Sequence, residues 1–282
     1  MMARDIAPLT NALDKLSPGN QADVYTLLAA WDTSIEAALE RGGGSRFREV
    51  TEERRPQVIN LVDTAATGES GQIDWEFLQE CTDAYPPGVD GHHCSQVLAS
   101  VVARYIIRTR INHGPDAIPM WAVDYLMDIS IDADTEWAWE SAAALGWAVG
   151  HSNSSILDRI VDRAGTDGDS WAMNILTHVA FADPDAGITL LERLLRSSDT
   201  KEDLLFLRSL ERPLKQNLPN FPQYWEPERE LEYEVAFTDD QLDRLLEVLG
   251  ETVHPRRLAK FDDQYAFDLQ RAAEEYGSAD SG

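Results

Sequence analysis

The feature that most constrains this chain is a spacing. LDRIV begins at Leu157 and LERLL at Leu191, 34 residues on (191 minus 157), and Trp137 and Trp171 are also 34 apart (171 minus 137). A related LDRLL begins at Leu242. Each pentapeptide puts aliphatic side chains at i, i+3 and i+4 with an acid and an arginine between them, so a helix built on it has one apolar face and one wet face. A unit of this length holds two helices and their turns. It cannot bury its apolar face alone, so it must stack on a neighbour.

Helical periodicity runs through the rest of the chain, and no segment alternates like a strand, so an all-α fold is expected. The pattern predicts helices near 20–41, 54–66, 74–85, 93–112, 117–130, 135–150, 154–164, 169–181, 186–197, 201–216, 239–249 and 255–276. ERGGGSR at 40–46 opens a linker expected to be flexible over 42–53. Thr200 with Asp203 and Thr238 with Gln241 have capping-box spacing, and Gly250 reads as a C′ residue. The third pentapeptide arrives late, 51 residues after the second (242 minus 191). The stretch 217–237, NLPNFPQYWEPERELEYEVAF, contains three prolines and reads as an insertion within a repeat. Insertions of this kind fall on loops of one face, often the binding face.

The period and the paired amphipathic helices resemble HEAT-like repeat proteins, clearly over about 93–216. That resemblance implies an α-solenoid of stacked antiparallel helical hairpins. The expected organisation is one domain over 1–282, with the linker at 42–53, the insertion at 217–237 and a disordered tail at 277–282. It also implies a scaffold that binds another protein or peptide along one face.

Charge narrows the partners. The chain carries 50 acidic and 24 basic residues, a net charge of −26, and only four of the basic residues are lysines. Acid enrichment with lysine depletion resembles the proteins of extreme halophiles. In molar salt the Debye length is about 3 Å, so self-repulsion on this scale is screened. A basic partner is the other source of such acidity, and nucleic acid is disfavoured. No run reaches the roughly 18–20 apolar residues of a membrane span. The start, MMARDIAPLT, lacks the basic and apolar stretches of a signal peptide, and two cysteines make no disulfide framework, so a cytoplasmic location is expected.

Several stretches could contact a partner. The segment 91–114 contains no Asp or Glu and carries Arg104, Arg108 and Arg110. Arg104 and Arg108 share a helix face. They read either as a site for phosphate or carboxylate or as an internal ladder paired with Asp124, Asp128, Glu136 and Glu140. On the alanine-rich helix 135–150, Trp137 and Trp139 read as core, whereas Trp147 shares its azimuth with Glu136 and Glu140 and is a candidate for an exposed groove. Phe221, Tyr224 and Trp225 in the insertion are candidate peptide contacts.

Metal and catalysis find little in the sequence. Cys81, His92, His93 and Cys94 lack the paired short spacings of structural zinc. DADTE at 132–136 lacks the glycine and glutamate of a calcium loop. No nucleophile elbow, HExxH or Rossmann pattern occurs, and no cofactor is expected. AAALGWAVGH at 142–151 and WAVDYL at 121–126 resemble stretches of HEAT-like alkylpurine DNA glycosylases. That resemblance implies Trp121 and Asp124 as base-contacting residues. The chain departs from it at Gly150, where an arginine is expected, and in a Trp–Asp spacing one residue short.

Overall fold

The computed structural model describes residues 7–15, 19–40, 49–68, 71–87, 93–130, 136–149, 154–164, 169–197 and 237–252. Among them every regular element is helical and no strand occurs. The α-helices, numbered in chain order, are α1 (Ala7–Lys15), α2 (Gln21–Glu40), α3 (Arg55–Thr67), α4 (Trp75–Ala84), α5 (Cys94–His113), α6 (Met120–Ile129), α7 (Glu136–Ala148), α8 (Ser154–Ala164), α9 (Asp169–Ala182), α10 (Pro184–Ser197) and α11 (Asp239–Thr252). A π-helical turn, Glu49–Arg54, leads into α3, and a 3-10 turn, Pro115–Ala117, follows α5. The linker expected over 42–53 therefore ends in helix from Glu49 onward. The short α1 was not expected.

The chain divides into two compact units. The first comprises 1–105 with 119–129, and the second comprises 106–118 with 130–282. The boundary falls inside α5.

In the first unit α1 packs on α2, α2 on α3, α3 on α4 and α4 on α6. The apolar stripe of α2 is Val24, Leu27, Leu28, Trp31, Ile35 and Ala38, the i, i+3, i+4, i+7 pattern of a helix buried along one face. Asp74 caps α4, its carboxylate accepting from the Phe77 amide at 3.0 Å and from Gln21 Nε2 at 2.9 Å. The Phe77 amide, then the Gln21 side chain, hold the Asp74 carboxyl below the usual carboxylate range.

The second unit carries the repeat. Helix α7 packs on α9 and α8 on α10; α9 also packs on α8 and α10, and α10 on α11. Two glycines let these helices approach. A Cβ added to Gly146 would lie 2.5 Å from His178 Cβ and 2.8 Å from the Ile175 carbonyl oxygen, and one added to Gly187 would lie 2.5 Å from Ala180 Cα. The repeated pentapeptides occupy matching environments: Leu157, Ile160, Leu191 and Leu194 are all buried, and Arg193 of α10 pairs with Asp158 of α8. Within the first hairpin and its neighbour, Arg163 lies 6.0 Å from the Trp171 ring centroid, within cation–π range.

The third pentapeptide opens α11. Its capping box forms as spaced: the Thr238 amide donates to Gln241 Oε1 at 3.0 Å, and the Gln241 amide donates to Thr238 Oγ1 at 3.3 Å. Gly250 does not end this helix, which continues to Thr252. Thr200, Asp203 and the helices expected at 201–216 and 255–276 lie outside the described residues.

Candidate functional site

A half-exposed arrangement of aromatic and charged groups lies in the first unit, on α6. This helix is buried at Ala122, Val123, Tyr125, Leu126, Met127 and Ile129. Between those positions it shows Trp121 and Asp124, both half-buried, and Asp128, exposed. The three stand at i, i+3 and i+7, so they form one stripe along the helix. The apolar content of MWAVDYLMDI forces this outcome, because the three larger polar or amphipathic side chains share the only face left over.

Trp121 does not stand alone. Its ring meets Trp75, at the start of α4, edge to face with centroids 5.8 Å apart and planes at 79°. Trp75 meets Tyr105 of α5 in the same way, at 6.2 Å and 71°. Tyr105 is buried, and its hydroxyl donates to the Asp63 carbonyl at 2.9 Å. The Trp75 ring is therefore anchored from below by a fixed side chain. Helices α4 and α6 contain Glu76, Glu80, Asp83, Asp124 and Asp128 and no lysine or arginine.

The candidates taken from the sequence fall differently. Arg104 is not on a free face. It is buried, and its Nη1 lies 3.1 Å from Asp63 Oδ2. The acid it pairs with there belongs to α3. Arg108 is half-buried and engaged by a partner. Arg110 lies against the end of α9, its Nη2 3.3 Å from the Ala182 carbonyl and 3.6 Å from the Asp183 carboxylate. A cation at a helix C-terminus satisfies open carbonyls and complements the dipole.

Trp147 is a correction. It is fully buried, its Nε1 donating to His178 Nδ1 at 3.2 Å and its ring 5.9 Å from Phe181. The groove reading placed it on the wet side because Glu140 shares that azimuth. Glu140 is itself only 3% exposed, so its charge does not mark a solvent face. Trp137 and Trp139 side chains, and the insertion residues Phe221, Tyr224 and Trp225, lie outside what the structure describes.

The cysteines are core residues. Cys94 Sγ donates to the Leu28 carbonyl at 2.9 Å. Burial pushes the Cys81 thiol up to about 11. Burial, with the Asp32 carboxylate next, pushes Cys94 up as well. Thiols held protonated are poor nucleophiles and poor metal ligands. Among the described residues no group of three His, Cys, Asp or Glu side chains could hold a metal ion, and no helix is long and apolar enough to cross a membrane.

In the sequence Trp121 is marked by the glycosylase resemblance, Asp124 by that resemblance and by the expected arginine ladder, and Trp75 by neither. A usable signal was present. The stretches 71–93 and 114–153 contain no lysine or arginine, and Trp75 and Trp121 lie within them.

The described residues define an all-α protein. The chain belongs to the family described as a domain of unknown function, DUF8137, whose model matches residues 2–268. No curated protein and no solved structure matches it.

Proposed function

We propose that this protein is a non-catalytic, cytoplasmic scaffold that binds another protein through a face of an α-solenoid built from HEAT-like hairpins. The observation that carries the reading is the stacking of α7 on α9 and α8 on α10 at the 34-residue step. Stacked hairpins place equivalent side chains in rows, and rows of this kind serve extended recognition. The buried cysteines and the pairing of Arg104 with Asp63 fit a structural use of these groups. The acidic, lysine-poor composition is read as adaptation to molar salt, where self-repulsion is screened.

A second reading, a HEAT-like DNA-binding or alkylpurine-excising protein, draws on the accessibility of Trp121 and Asp124. The net charge of −26 and the internal pairing of Arg104 weigh against it, because phosphate neutralisation needs unpaired cations.

The test uses the full chain in molar KCl. Capture of a protein partner from a halophile extract is compared between wild type and Trp225→Ala, and excision of alkylated bases from duplex DNA between wild type and Asp124→Asn. A protein partner retained specifically, with no excision, is the expected result. Excision abolished by Asp124→Asn would overturn the scaffold reading.

A further inference from the structure

We draw no further inference here: the strongest candidate, the uncharged outer face of α2 at Ala22, Thr26, Ala29 and Thr33, is a stripe of small residues, and nothing in the structure shows what covers it.

Discussion

The first unit and the repeat helices α8, α10 and α11 of the second use ion pairs in opposite ways. In the first, polar anchors join segments far apart in sequence and are buried. Arg55 Nη2 donates to Ser100 Oγ at 2.6 Å across 45 residues, Arg104 pairs with Asp63 across 41, and Cys94 donates to the Leu28 carbonyl across 66. Among α8, α10 and α11 the ion pairs lie outside and follow the helix and repeat geometry: Arg193 with Asp158, Arg196 with Glu192 one turn away, and Arg244 with Asp185. In the same unit α7 and α10 come into close contact with α9 at Gly146 and Gly187. The difference teaches where specificity is stored. A stack of similar hairpins can rely on repeated shape, whereas an irregular helical unit needs individual buried pairs to fix which helix meets which.

The largest expected effect contrasts Arg104 with Arg244. The side chains of the Arg104–Asp63 pair are 8% and 18% exposed, and those of Arg244–Asp185 are 41% and 35% exposed. Removing one partner of a buried pair strands the other charge and costs about 3–5 kcal/mol, whereas an exposed pair contributes about 1 kcal/mol or less. Urea denaturation at fixed salt should therefore show a much larger loss for Arg104→Ala than for Arg244→Ala. Equal losses would erase that distinction.

Alkaline pH should sharpen it. Burial pushes Cys81 from its ordinary value of 9.0 up to about 11 and Tyr25 from 10.0 up to about 12, and both groups are in the first unit. Each is neutral when protonated, and its folded-state pKa lies above the unfolded one. The stabilisation is complete below the unfolded value and is lost as pH rises through the folded one. The melting temperature should fall from about pH 9 upward, with amide exchange accelerating first in α2 and α4. Cys81→Ala should flatten the fall near its onset. A melting temperature level from pH 8 to 11 would contradict this account of the first unit.

The smallest effect is at the edge of the second unit. Thr238→Ala removes half of the α11 capping box and should cost about 1 kcal/mol in the same denaturation assay. A loss several times larger would mean that α11 is not held by capping and leucine burial alone.

The repeat of the second unit was legible in the sequence because it is a periodicity, and α8 and α10 fall where the pentapeptides put them. The contacts of the first unit were not legible. Nothing local in Asp63 or Arg104 marks them as partners, and their meeting depends on how α3 and α5 come together. Trp147 was misplaced for a related reason. A glutamate on the same azimuth predicts a solvent face, but Glu140 is buried. The face that α6 leaves open could be read only after its buried positions were known.

The claim on which the rest depends is that α7 and α9 stack in near-backbone contact at the repeat step. Gly146→Ala tests it most directly, with Gly250→Ala as its counterpart, in denaturation at fixed salt. A Cβ at 146 meets His178 and the α9 backbone at under 3 Å, whereas one at 250 meets nothing. Overpacking should cost Gly146→Ala about 1–3 kcal/mol net, and Gly250→Ala should gain up to about 1 kcal/mol from helix propensity. A Gly146→Ala protein as stable as wild type, or more stable, would contradict the stack.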